Sequence, residues 1–358
     1  MDIVAASRLR ADLADDGHVH GLDALRFVAA MWVVISHVGF APIGDTLDRT
    51  TPVGFLIHGG LGILCSGPAA VVIFFVISGF CIHYPYVKRS TFKIFPYLCR
   101  RYVRIGIPMV AAMAITEIAG VDSLMFFDAV LWSLVAELMY YTLYPLIRTL
   151  TTKLSINKLI IGSYAVSLML VVAGPKLPGY AIYGWKLNWL LGLPCWLLGV
   201  KLATLWNGLR LSASEPGQVG IWHWRLFVWG LSSLCTALNF HSPFPYSLTL
   251  NVFSIIAYYW LGLELSRAKF LRRPWPVLEW AGRWSYSIYL CHIFAIQLFA
   301  TFAISQNSGP FSVWAMKMAF VLIASYAFFI SIEWPAHLLA RRASQSKFIA
   351  RISSEPSA

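Results

Sequence analysis

Hydrophobic residues in this chain fall in long runs. They show neither the two-residue alternation of strands nor the single apolar stripe of a soluble helix. Ten such runs, bounded by proline, glycine or charge, cover roughly 22–41, 68–86, 103–120, 130–149, 158–174, 187–206, 221–240, 246–265, 284–305 and 311–334. Each is close to the length of about 20 residues that a helix needs to cross a bilayer. The pattern predicts an all-α fold, a polytopic transmembrane helix bundle of about ten spans. Residues 1–20 and 341–358 are polar and read as disordered tails around one membrane domain over 21–340. The segment 54–67 holds Gly59, Gly60, Gly62 and Gly67 and reads as a re-entrant or interfacial piece on the outer side. No internal repeat is visible, which counts against an inverted-repeat transporter.

Composition agrees with the pattern. Apolar types make up 58 % of the 358 residues and charged types 12 %, against about 25 % charged in an ordinary soluble domain. Disorder, a secreted disulfide scaffold and a nucleic-acid-binding domain are all excluded on that ground. The net charge of +12 is a topology signal rather than the mark of an acidic partner. An even number of spans puts both termini on one side, and 23 of the 28 Lys and Arg residues fall on that side. The opposite side carries 3 (Arg49, Lys176 and Lys186), while Arg26 and Lys317 lie inside runs. The split makes both tails cytoplasmic. No cleavable signal is expected ahead of the first run, and the six cysteines read as small buried hydrophobes.

Ionisable groups inside the runs carry the chemistry, because each costs at least ~2.5–3.5 kcal/mol to insert and needs a partner or a task. In the first run Arg26 and His37 are eleven residues apart, about 20° from one helical face and roughly 16 Å along the axis. Arg26 sits near the cytoplasmic end, with Asp23 on the same stripe, and His37 near the outer end. The plainer reading has Arg26 snorkelling to the interface and His37 among headgroups. In the fourth run Ser133, Glu137, Tyr140 or Tyr141, and Tyr144 form a polar stripe, and Glu137 falls at a depth where His37 is a natural partner. Ser285, Tyr289 and His292 share a face of the ninth run, where His292 reads first as an interhelical hydrogen-bonding residue. Ser78-Gly79 allows close backbone approach, for packing or for a ligand. Arg101 and Arg104, one turn apart, suit phosphate better than a topology signal requires. Glu333 is placed to pair with an arginine of that cluster. Asp15, Asp16, His18 and His20 read as a solvated tail patch, and no metal is expected.

Taken in order, these elements resemble the acyltransferase 3 family of integral membrane O-acyltransferases, from about Gly21 to Pro335. The resemblance rests first on the arginine, ten-residue gap and histidine of Arg26 and His37, preceded by Leu22-Asp23-Ala24-Leu25. It continues through Phe74-Phe75-Val-Ile-Ser78-Gly79-Phe80, Arg101-Tyr-Val-Arg104, and Trp132-Ser133-Leu-Val-Ala-Glu137 with Tyr140 and Pro145. Ser285-Tyr286-Ser-Ile-Tyr289-Leu-Cys-His292 and Glu333-Trp-Pro335 complete it. Where many members read Arg-Ile-Tyr-Pro, this chain reads Arg104-Ile-Gly-Ile-Pro108. A chain ending at residue 358 is expected to lack the soluble hydrolase-like domain that some members carry.

The resemblance implies transfer of an acyl group, often acetyl from acetyl-CoA, to a hydroxyl of a carbohydrate, glycolipid or other exported acceptor. It also implies a bacterial inner (plasma) membrane protein. On that view His37, Glu137 and Arg26 are catalytic, with His37 as the base for the acceptor hydroxyl and Glu137 orienting it. Arg26, Arg101, Arg104, Ser78 and Gly79 hold the acyl-CoA, with Asp23, Ser133, Tyr140, Tyr289, His292 and Glu333 as further polar candidates. Two rivals are a secondary transporter, which would move solute without consuming acyl-CoA, and a non-catalytic scaffold, which would tolerate His37→Ala.

Overall fold

The computed structural model describes residues 19–42, 50–89, 91–174, 179–212, 218–268, 275–302 and 309–345. Most of the two tails, with Asp15, Asp16 and His18, lies outside them. In chain order the main helices are α1 (Leu22–Val38), α2 (Pro52–Ile63), α3 (Gly67–His83), α4 (Ile94–Ile118), α5 (Trp132–Lys153), α6 (Ile156–Ala173) and α7 (Gly184–Ser212). They continue with α8 (Gln218–His241), α9 (Tyr246–Ala268), α10 (Pro276–Gly282), α11 (Ser285–Thr301), α12 (Pro310–Phe328) and α13 (Trp334–Gln345). No strand occurs among the described residues. Each of the ten apolar runs coincides with a helix: α1, α3 to α9, α11 and α12.

Six stretches among the described residues are long and apolar enough to cross a membrane. The helices α1 and α11 are only 17 residues long, and α4 carries Arg100, Arg101 and Arg104 within it. The glycine-rich segment is helical in α2, where the Thr51 hydroxyl accepts the Gly54 N–H at 3.1 Å as an N-cap. At the other end, residues 341–345 are helical as the end of α13.

The core is built around α3, in which 14 of 17 residues are buried. A helix apolar on every side belongs at the centre of a bundle. Its closest neighbour is α7, and two glycines make the approach possible. A Cβ on Gly79 would overlap the Trp196 carbonyl, and one on Gly199 would overlap that of Val76. Small residues at such a crossing let two backbones touch, the main source of helix association where lipid removes the hydrophobic drive. Peripheral helices show the opposite face of the same rule: α6 exposes Ile161, Met169 and Val172. Between α8 and α9, Arg225 makes two hydrogen bonds to the fully buried Glu264, at 2.6 and 2.9 Å, while its guanidinium stacks 4.6 Å from the Trp222 ring.

Two π-helical turns interrupt this regular packing. Phe127–Leu131 leads into α5, and Phe329–Glu333 joins α12 to α13. Such one-residue insertions concentrate at functional sites, and both adjoin the cavity described below.

Gly79 is therefore a packing residue of the α3–α7 crossing. Gly79→Ala is expected to cost about 1–3 kcal/mol through overpacking. It should appear as a lower melting temperature of the detergent-solubilised protein, whereas a Gly106→Ala control, with open space around the added methyl, should leave it unchanged.

Candidate active site

A cavity of about 500 Å³ opens between α1, α3, α4, α5, α11 and α13, within the ordinary range for a small-molecule site. Its lining includes five arginines (Arg26, Arg101, Arg104, Arg283 and Arg341) and three carboxylates (Asp23, Glu137 and Glu333). The arginines come from the beginnings of α1 and α4, from the turn between α10 and α11, and from α13, so they gather at one end of the bundle. At the far end the lining stops at Val71, Ser133 and Tyr289.

At the basic end, Arg26 donates to Asp23 Oδ1 at 2.6 Å and to Cys81 Sγ at 2.8 Å. Cys81 is thus a cavity thiol in contact with a cation, beyond the inert role read from sequence. Arg101 lies 5.8 Å from the Tyr141 ring centroid and 6.0 Å from that of Tyr97. Aromatic faces at this range attract a guanidinium and leave its N–H donors available to an anion. Arg104 Nε donates to His337 Nε2 at 3.0 Å. Glu333, only 2 % exposed, accepts the Ser287 N–H at 3.1 Å and the Ser287 hydroxyl. Its other oxygen is 3.4 Å from His337 Nε2, the same nitrogen that accepts from Arg104.

In the middle of the cavity, both hydrogen bonds to Glu137 fall on Oε1: one from Ser78 Oγ at 2.7 Å, the other from the Tyr141 hydroxyl. Trp196 Nε1 in turn donates to Ser78 Oγ at 3.3 Å. Beyond them Ser133 Oγ gives its proton to the Val130 carbonyl at 3.0 Å and accepts from Tyr289 at 2.6 Å.

His37 and His292 lie past this layer and outside the cavity lining. Their rings are 5.0 Å apart, and the His292 ring is 5.9 Å from that of Tyr289. His37 is exposed at the end of α1 and His292 is fully buried in α11. His37 Nδ1 lies 3.0 Å from the Val33 carbonyl. A carbonyl only accepts, so the neutral ring carries its proton on Nδ1 and offers Nε2 as the basic atom.

Three sequence expectations change here. The pairing of His37 with Glu137 is not made: Glu137 is engaged by Ser78 and Tyr141, and the ring beside His37 belongs to His292. Tyr140 does not line the cavity. At i+3 from Glu137 it lies about 60° to one side on the helix, and it donates its hydroxyl to the Trp189 carbonyl at 2.9 Å. Tyr141, at i+4, takes the place beside Glu137. Gly79 faces α7, and only Ser78 of that pair lines the cavity. By contrast, Asp23, Arg26, Arg101, Arg104, Ser133, Glu137, Tyr289 and Glu333 all converge on one space. Arg283 and Arg341 read in the sequence only as topology charges and His337 carried no reading, although Glu333, His337 and Arg341 recur every four residues on one helix face.

A family model described as an acyltransferase domain matches residues 19–330. The chain belongs to this acyltransferase family, and it is an integral membrane acyltransferase. Among known proteins it is similar to Nodulation protein 10 of Rhizobium leguminosarum bv. viciae, with 24 % identity over 389 residues that span 92 % of this chain and 97 % of that one. No solved structure matches.

The two neighbouring tyrosines separate site from scaffold. Tyr141→Phe removes a donor to Glu137 and should lower acyl transfer at least about tenfold, the effect of one charge-assisted hydrogen bond worth ~1.5–3 kcal/mol. Tyr140→Phe should lower thermal stability by about 1 kcal/mol and leave turnover per folded molecule unchanged. Initial rates and melting curves on the two variants check both.

Proposed function

We propose that the protein transfers an acyl group, acetyl in the simplest case, from acyl-CoA to a hydroxyl of a carbohydrate, glycolipid or other exported acceptor. One observation carries the reading: a single cavity that is arginine-rich at one end stops, at the other, one residue layer short of a histidine pair. The charge on the CoA phosphates suits Arg26, Arg101 and Arg104. The roughly 16 Å of helical rise between Arg26 and His37 suits an extended pantetheine arm. In this reading Glu137 faces that arm and does not orient the base.

A hydroxyl is a poor nucleophile at neutral pH and needs a positioned base. His37, with Nε2 available and an exposed ring, takes the acceptor's proton as oxygen attacks the thioester carbon. The acceptor arrives from outside and the donor from the cytoplasm. This places the arginines at the cytoplasmic face, in accord with the basic-residue asymmetry, ten spans, cytoplasmic termini and a bacterial inner membrane.

Purified protein with labelled acetyl-CoA and candidate acceptors should place label on the acceptor and release free CoA. His37→Ala should abolish transfer, by at least about 100-fold for loss of a general base, with CoA affinity within twofold of the parent. Arg101→Gln or Arg104→Gln should each weaken donor affinity about tenfold through loss of a charge-assisted contact. Retained turnover in His37→Ala, or unchanged donor affinity in the arginine variants, sinks the corresponding assignment.

A further inference from the structure

Glu137 uses only half of its carboxylate to hold the wall. Oε1 accepts from Ser78 Oγ at 2.7 Å and from the Tyr141 hydroxyl. Among the described residues nothing donates to Oε2, and Glu137 makes no ion pair. That oxygen is not sealed inside the protein, and the residue lines the cavity. The neighbouring hydroxyls are committed elsewhere. Tyr286 donates to the Ile105 carbonyl at 3.1 Å and Ser285 to that of Gly282 at 2.8 Å, while Tyr289 donates to Ser133. Leu134 and Phe74, about one turn from Glu137 and Ser78 on their helices, add only apolar surface. A carboxylate oxygen in such a stretch is costly unless something donates to it. The bound ligand is the remaining source of that donor.

The free oxygen selects by charge and by reach. It repels phosphate, which keeps the CoA phosphates with Arg26, Arg101 and Arg104, and it accepts from a neutral N–H. The pantetheine arm carries two amide N–H groups. Ser133, where the lining ends, precedes Glu137 by one helical turn, about 6 Å of rise. A thioester sulfur at that level has its nearer amide nitrogen three bonds back, about 4 Å when extended, within hydrogen-bond reach of Glu137. The farther amide lies another four bonds along, past Glu137 towards the arginines. We propose that Glu137 is a specificity-determining residue for the donor, its Oε2 accepting a hydrogen bond from the amide N–H nearest the thioester. The proposal rests on acyl-CoA being the donor, as argued above. The contact makes the donor depend on that amide and fixes how deep the sulfur sits, while His37 acts on the acceptor. It is made in the bound donor and in the transition state alike, so it lowers donor KM rather than raising kcat.

The test gives purified full-length protein two donors: acetyl-CoA, and its analogue with oxygen in place of that one N–H. The analogue keeps the carbonyl and the length of the arm. For the parent protein, donor KM should be about tenfold higher with the analogue, the effect of one charge-assisted hydrogen bond. Glu137→Gln keeps an oxygen for Ser78 and Tyr141 and turns the other into an amide NH2, which cannot accept. It should raise KM for acetyl-CoA about tenfold, and for the analogue by less than twofold, because the contact is already absent there. A Glu137→Gln loss of equal size with both donors overturns the proposal and marks a role in holding the wall alone. Equal KM for the two donors in the parent also overturns it, and that comparison needs no variant to fold. A parent that takes no acetyl from acetyl-CoA removes the donor reading and this inference with it, whereas one that uses both donors equally well removes this inference alone.

Discussion

Charge placed inside an apolar bundle has to be neutralised or hydrogen-bonded, and the architecture of this site follows from that constraint. Five arginines and three carboxylates share one cavity, and every carboxylate there is already engaged. Asp23 is bound by Arg26, Glu137 by Ser78 and Tyr141, and Glu333 by Ser287. These hydrogen bonds hold the wall together, and the cavity keeps an excess of positive charge at its basic end. A cavity with that excess is stable only because aromatic faces and the His337 ring share in holding the guanidinium groups.

The same constraint divides the site along its length. The basic end carries the arginines, the middle a carboxylate with hydroxyl donors, and past the far end lie two imidazoles with no carboxylate in contact among the described residues. Between middle and far end stand Tyr289 and Ser133, joined by a hydrogen bond, with Phe74 packed edge-on against Tyr289 at 5.7 Å.

Much of this was legible in the sequence, and the reasons are local. Arg26 and His37 belong to one helix, so their shared face and axial separation follow from helical geometry alone. Glu137 and Tyr141 obey the same four-residue rule, but a stripe read from periodicity is ambiguous by one residue, which is how Tyr140 entered the candidates. Partners on different helices are another matter. The neighbour of His37 depends on the relative rotation and height of α1 and α11, which no single-helix pattern encodes. Gly79 could equally face a ligand or a helix until Trp196 was seen against it. Arg283 and Arg341 resembled topology charges because their positions follow from the short helix α10 and from the turn before α13.

That turn has a wider consequence. An extra residue at Phe329–Glu333 resets the angular phase of the chain, so the lipid-facing surface of α12 and the cavity-facing surface of α13 are set independently. Drift in the outer membrane-exposed half of this hairpin leg can proceed without rotating His337 and Arg341. Deleting a single residue there, however, would swing both by about a quarter turn, reshaping the basic end of the cavity through a change in register.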